Sequence, residues 1–182
     1  MAEPTTLRLV LAVSSALQLN IDDLDIKTAF LHGEIPENEQ LFCSPLPGFR
    51  VPEGLEWLIK KDLYGAHQSR SIWAKTFRAW LHKHYPKYVE ARNERCVYVM
   101  RGWKELALID LDEFWGQKIE KDEKIVIMIV NSDNMLISYS DNARQLVDSF
   151  EKKLIDCFEA TPRPKIELKL ACFKISKRAF SL

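Results

Sequence analysis

The 182 residues, 47% of them hydrophobic, suit one domain or a compact core with one appended lobe, and exclude a short peptide or a repeat array. Lysine plus arginine and aspartate plus glutamate both number 26, which argues against a protein that coats nucleic acid by bulk electrostatics. The balance conceals segregation: residues 1–49 hold 2 basic and 7 acidic side chains, residues 50–104 hold 12 and 5, and residues 105–182 hold 12 and 14.

Thr5 or Thr6 can cap a first helix running to about Gln18, with Leu9, Val10, Val13 and Leu17 on its inner side. The apolar run Leu7 to Val13 imitates a secretory leader, but Glu3 precedes it, Arg8 interrupts it, and the helical period continues through it. No run approaches the ~18 apolar residues of a membrane span. An intracellular protein, cytoplasmic or nuclear and without membrane contact, is therefore expected.

Asp22 and Asp23 close the connection and a strand begins near Asp25. In Leu24-Asp-Ile-Lys-Thr-Ala-Phe-Leu-His-Gly33, alternation puts Leu24, Ile26, Thr28 and Phe30 on one face. Asp25, Lys27 and Ala29 take the other, so a carboxylate stands on an accessible surface. A loop from Gly33 to Gln40, a short strand at Leu41 to Ser44, a Pro/Gly-rich surface segment and a strand from Trp57 to Lys60 follow. Asp62-Leu-Tyr-Gly65 turns the chain into a helix from Ser69 to Tyr85, stopped by Pro86. Its stripe of Trp73, Phe77, Trp80, Leu81 and His84 has helical spacing and is read as core packing rather than a base-stacking surface.

Cys96 to Arg101 and Glu105 to Ile109 read as strands, and Asp110 to Lys124 as a surface excursion. Ile125 to Val130 and Met135 to Tyr139 then form a hairpin around Asn131-Ser-Asp-Asn134, with Asp133 at the tip. Ser140 can cap a helix to Phe158 that buries Leu146, Val147, Phe150, Leu154 and Phe158. Pro162 and Pro164 break the chain before a last strand, Ile166 to Ser176, with a bulge near Cys172-Phe173. This order lacks a regular βαβ period and predicts an α+β fold: an antiparallel sheet with helices on one face, in a single domain spanning residues 1–182.

The four cysteines and four histidines show no metal-ligand spacing, so the cysteines are expected as buried thiols. Asp25 and Asp133 point to different chemistry. Two carboxylates brought together from distant strands can hold Mg²⁺ for phosphoryl transfer.

Several motifs in one order resemble the reverse transcriptase domain of Ty1/copia-type retrotransposon polyproteins. Asp25-Ile-Lys-Thr-Ala-Phe-Leu-His-Gly33 resembles that family's first catalytic motif, and Pro47-Gly48-Phe49 its Pro-Glu-Gly-Phe landmark. Leu63-Tyr-Gly-Ala-His-Gln68 with Trp73 resembles Leu-Tyr-Gly-Leu-Lys-Gln-x-Pro-Arg-x-Trp, and Val130-Asn-Ser-Asp-Asn-Met-Leu-Ile137 falls where the family has Tyr-Val-Asp-Asp-Met-Leu-Ile. The resemblance covers about Thr6 to Ser176.

It implies a palm with partial fingers. Asp25, the Ile26 carbonyl and Asp133 would be the Mg²⁺ ligands, Phe30 would select against a 2′-hydroxyl, and Gln68 would touch the incoming nucleotide or the template. The departures weigh against the reaction. Asn134 replaces a second aspartate and brings no negative charge, and Asn131-Ser132 replaces Tyr-Val. The family's triphosphate-gripping fingers strands would precede Thr6, and its thumb and RNase H region would follow Ser176, so the chain is expected to lack all three.

The resulting expectation is a catalytically impaired domain that binds RNA or DNA through Lys60, Lys61, Arg70, Lys75 and Arg78, or serves as a protein-interaction or assembly module, with a partner protein or a second copy. The alternative is an active Mg²⁺-dependent RNA-directed DNA polymerase.

Overall fold

The structure, a computed structural model, describes residues 3–92, 94–101 and 123–163. In chain order these form α1 (Pro4–Ala16), β1 (Asn20–Ile26), β2 (Leu41–Cys43), β3 (Trp57–Ile59), α2 (Ser69–His84), β4 (Val89–Glu90), β5 (Val97–Arg101), β6 (Ile125–Asn131), β7 (Asn134–Tyr139), α3 (Arg144–Phe158) and β8 (Ala160–Pro162). The strands expected at Glu105 to Ile109 and Ile166 to Ser176, Cys172, and nearly all of the Asp110 to Lys124 excursion lie outside the described residues. Helices mix with antiparallel strands, as the α+β class requires. Contacts divide the chain into two units, residues 1–27 with 81–182, and residues 28–80. Among the described residues no helix is long and apolar enough to cross a membrane.

The first unit is built on an antiparallel sheet of order β4-β5-β6-β7-β1-β8. Register puts Asp22 opposite Ile137 and Ile137 opposite Met128, so these share one face; Asp23, Leu136 and Ile129 share the other. Val10 of α1 joins Val97, Val99, Ile125, Ile127 and Ile129 in one buried cluster, flanked by Val13, Leu17 and Leu19. On the opposite face the Arg144 guanidinium of α3 reaches Asp22 Oδ2 at 3.0 Å and the Tyr139 hydroxyl. Phe150 packs its ring against Tyr85 and Tyr88, with centroids 5.2 and 5.7 Å apart.

Helices thus cover both faces, where one was expected. The cause is legible in β6: Ile125 to Val130 is buried at every position, and a strand apolar on both sides needs cover on both. Burying each large aliphatic side chain of this kind contributes roughly 1.5–3 kcal/mol.

Other boundaries moved for local reasons. Pro4, not Thr5 or Thr6, opens α1, since proline suits the first helical turn; Thr6 Oγ1 instead donates to Glu94 Oε2. Leu11 and Ser14 turn inward with Val10, while Leu9 is exposed. β1 begins at Asn20, five residues before Asp25, because pairing with β7 from Tyr139 onward overrides the weak strand propensity of Asn-Ile-Asp-Asp.

The strand also ends sooner than expected. Thr28 adopts φ 50°, and a 3₁₀ turn at Ala29–His32 carries Phe30 in place of continued alternation. Ser140 caps no helix with its side chain; its Oγ accepts from the Ile125 N–H and a 3₁₀ turn at Asp141–Ala143 leads into α3. Val147, Phe150, Leu154 and Phe158 form the buried stripe of α3 as expected, while Leu146, expected among them, is only half-buried. Pro162 does not break the chain but ends edge strand β8, paired with Leu24, a position where a missing N–H is tolerated. The described cysteines are free and not fully buried: Cys43 and Cys96 are half-buried and Cys157 is exposed.

The second unit pairs β2 with β3, and Glu34 bridges to Lys61. Asp62, wholly buried, accepts at Oδ1 from the Leu63 N–H and the Ser69 hydroxyl, both at 2.9 Å, and so fixes the entry to α2. Gly65 at φ +95° makes the turn between them. Trp73 and Phe77 are buried core residues, as the helical spacing predicted.

Candidate functional site

Asp25 lies on β1 directly opposite Asn134 of β7, and the Ile26 N–H donates to the Asp133 carbonyl at 2.6 Å. The hairpin that achieves this is tighter than expected. β6 and β7 are joined by Ser132 and Asp133 alone, with Ser132 in the left-handed region at φ 57°. The sheet therefore brings Asp25, Ile26, Asp133 and Asn134 to one corner of the first unit.

The partners of these carboxylates are set by their neighbours. Asp133 Oδ1 accepts from the Asn134 side-chain amide at 2.8 Å, so Asn134 presents a donor to the carboxylate beside it. Asp25 Oδ1 accepts from Arg163 Nη2 at 2.7 Å, and Arg163 Nη1 lies 3.5 Å from Asp23 Oδ2. Asp23 and Asp25, two apart on one strand, face the same side. The Asp23 carboxyl is raised above its usual range, first by burial, while Arg163 opposes the rise and Asp25 adds to it. A cleft of about 640 Å³ opens beside them, lined by Asp23, Asn131, Asn134, Leu136, Arg163 and the start of α1.

Two carboxylates and a main-chain carbonyl are the right donors for a hard divalent ion. As arranged, however, they do not fit a two-ion centre. One carboxylate is held by a guanidinium and the other by an amide. Among the described residues no group of three or more His, Cys, Asp or Glu side chains is placed to hold a metal.

The remaining expected residues belong to the second unit. Phe30 is buried, its ring edge-on to Tyr64 with centroids 4.7 Å apart. Gln68 is half-buried, and its carbonyl accepts from the Ser71 and Ile72 N–H groups at the start of α2. Lys60, Lys61, Arg70 and Lys75 are exposed and Arg78 is half-buried; Lys61 pairs with Glu34 at 3.1 Å. Nothing in the sequence pointed to Arg163, because the register of β8 against β1 is a tertiary property.

Residues 1–113 match the family model described as reverse transcriptase (RNA-dependent DNA polymerase). The chain is 31% identical over 99 residues to the retrovirus-related Pol polyprotein from transposon TNT 1-94 of Nicotiana tabacum, covering 53% of this chain and 7% of that one. It is 28% identical over 151 residues to the transposon Ty1-NL2 Gag-Pol polyprotein of Saccharomyces cerevisiae, covering 81% and 7%. A truncated transposon Ty1-A Gag-Pol polyprotein of the same yeast is 29% identical over 151 residues, and the match covers 10% of it. The chain thus spans a small part of the curated relatives it matches. No solved structure matches it.

Proposed function

The chain belongs to the reverse transcriptase (RNA-dependent DNA polymerase) family, with Ty1/copia-type transposon polyproteins as relatives, and from that premise we propose that residues 1–182 form one palm with partial fingers whose polymerase chemistry is impaired and which acts by binding RNA or DNA. The observation that carries the impairment is the state of the carboxylates. Asn134 supplies an amide donor to Asp133 where the family has a second aspartate, so the corner has lost charge that would hold divalent ions.

Primer extension tests this directly. A DNA primer on an RNA template with Mg²⁺ or Mn²⁺ should gain no nucleotide. Extension that disappears in Asp25→Asn would establish the alternative instead: an active Mg²⁺-dependent RNA-directed DNA polymerase using Asp25, the Ile26 carbonyl and Asp133, with Phe30 and Gln68 at the nucleotide.

Nucleic-acid binding rests on Lys60, Lys61, Arg70, Lys75 and Arg78, which all lie in the second unit, four of them exposed. If each meets one phosphate, the log of affinity for a duplex should fall with the log of salt at a slope of about −4 to −5. A flat response would refute this reading.

A second reading, as a protein-interaction or assembly module, draws on a different observation. Phe42, Leu46, Phe49 and Leu55, also in the second unit, are between 55% and 64% exposed, large apolar side chains that a partner could cover. Light scattering against concentration would reveal self-association, and Leu46→Ser with Phe49→Ser should abolish it.

A further inference from the structure

We propose that a cavity at the end of the sheet remote from Asp25, walled by two tyrosines and rimmed by lysines, is a binding site for a small organic anion: a carboxylate on a compact apolar body. Neither the motifs nor the family match assigns this cavity a role, and the inference stands apart from the proposed reading of the Asp25 corner.

Register fixes where the cavity lies. Met100 of β5 is opposite Val126, Val126 opposite Tyr139, and Tyr139 opposite Asn20, so Met100 is level with the start of β1, about 17 Å along that strand from Asp25. The same register puts Met100 on the face of Tyr139, where Arg144 of α3 docks. A cavity of about 220 Å³ opens there between β5, α3 and the end of α2. Pro86 stops α2, and the Tyr88 N–H donates to the Tyr85 carbonyl at 3.1 Å, so the chain turns back and brings both rings to the cavity.

Tyr85, Tyr88, Met100 and Leu146 supply apolar walls. Tyr88 and Met100 are almost wholly buried, so the floor is fixed by the core and can desolvate an apolar body. The rim carries one sign of charge. His84, Lys87 and Lys124 line it, and among the described residues no acidic side chain does. Lys153 of α3 adds a cation with its Nζ 5.8 Å from the centre of the Tyr85 ring. The His84 imidazole is held below its usual pKa, first by burial and then by the Lys153 and Lys83 charges. It is therefore neutral at neutral pH and able to donate a hydrogen bond to a carboxylate, while the lysines bring the charge.

Walls and rim make separable contributions. A neutral body gains only the wall contacts, and a cation meets like charge at the rim. Lys87 is exposed and Lys124 half-buried, so water screens both, and each should raise the affinity for an anion by about threefold rather than by orders of magnitude.

Titration of the full 182-residue chain with para-toluate, followed by NMR of isotope-labelled methionine methyl groups, tests the inference. The Met100 methyl should shift and saturate with a Kd of about 1 mM, the scale for a ligand of about ten non-hydrogen atoms. Met135, opposite Leu24 near the other end of the sheet, should not move. The matching neutral alcohol, para-methylbenzyl alcohol, should bind about tenfold more weakly. Lys87→Met with Lys124→Met should weaken para-toluate by about tenfold and leave the alcohol unchanged. Leu146→Trp, which fills the cavity, should remove binding of both. Circular dichroism confirms that each variant is folded, and the lysine pair keeps the comparison open if Leu146→Trp is not. No shift at Met100, equal binding of the acid and the alcohol, or an unchanged acid affinity in the lysine variant would overturn the inference.

Discussion

Gly33 closes the best-matched motif, and replacing it with alanine gives a quantitative test of how the second unit is packed. A Cβ built there would lie 2.6 Å from Ile72 Cγ2 and 3.3 Å from the Phe30 carbonyl oxygen. The backbone is not the obstacle. Gly33 has φ −77° and ψ 134°, which any residue adopts, so alanine should even gain about 0.4–1 kcal/mol by restricting the unfolded chain.

Against that gain stands overpacking, typically about 1–3 kcal/mol. Ile72 is buried at the start of α2, and its own N–H is bonded to the Gln68 carbonyl at 3.0 Å, so it cannot retreat without shifting the helix entry. Gly33 is held too, since its carbonyl accepts from the Asp62 N–H at 3.2 Å. The two effects leave a net destabilisation of about 1–2 kcal/mol. Urea unfolding monitored by tryptophan fluorescence measures it, with buried Trp73 next to Ile72 as a reporter. Ile72→Leu deletes the offending methyl branch, so Gly33→Ala with Ile72→Leu should recover about 1 kcal/mol relative to the sum of the single changes. An additive double variant, or a Gly33→Ala protein more stable than its parent, would refute the packing argument.

Tyr139→Phe should cost about 1.5–3 kcal/mol in the same assay, since the buried hydroxyl donates to Asp22 Oδ2 at 2.8 Å and receives the Arg144 guanidinium. The Tyr139 hydroxyl, pushed up to about 12 first by burial and then by Asp22, should not ionise on spectrophotometric titration to pH 11. Glu151 is pushed up to about 7 from 4.5, first by burial and then by the Asp22 charge. The folded chain therefore holds a proton the unfolded chain has lost, and this contribution to stability is full below pH 4.5 and disappears as pH rises through 7. Glu151→Gln should flatten the midpoint across that window; an unchanged slope would assign the pH dependence elsewhere. Lys60→Ala with Lys61→Ala should reduce the salt slope of nucleic-acid binding by about 2, while stability shifts by less than about 0.5 kcal/mol, because the exposed Lys61–Glu34 pair contributes little to folding.

Local pattern was enough to mark the hairpin runs at Ile125 to Val130 and Met135 to Tyr139, the inner stripe of α3 and the core side of α2. In each, period and burial coincide over many residues, so small errors of boundary do not change the face. The carboxylate at Asp25 was visible for the same reason: Leu24 and Ile26 point inward and force Asp25 out. The motif also carried the family, which the match over residues 1–113 supports.

What stayed hidden depends on partners distant in the chain. Asn-Ile-Asp-Asp gives no strand signal, yet Asn20 to Asp23 is sheet because β7 lies beside it. The cover on both faces follows from where α1 and α3 dock, not from the period of either. Arg163 is 138 residues from Asp25, and only the antiparallel register of β8 brings them to 2.7 Å. The sequence by itself determined that the Asp25 carboxylate faces outward; tertiary structure decided which cation it holds, because an ion pair is made by position as well as by charge.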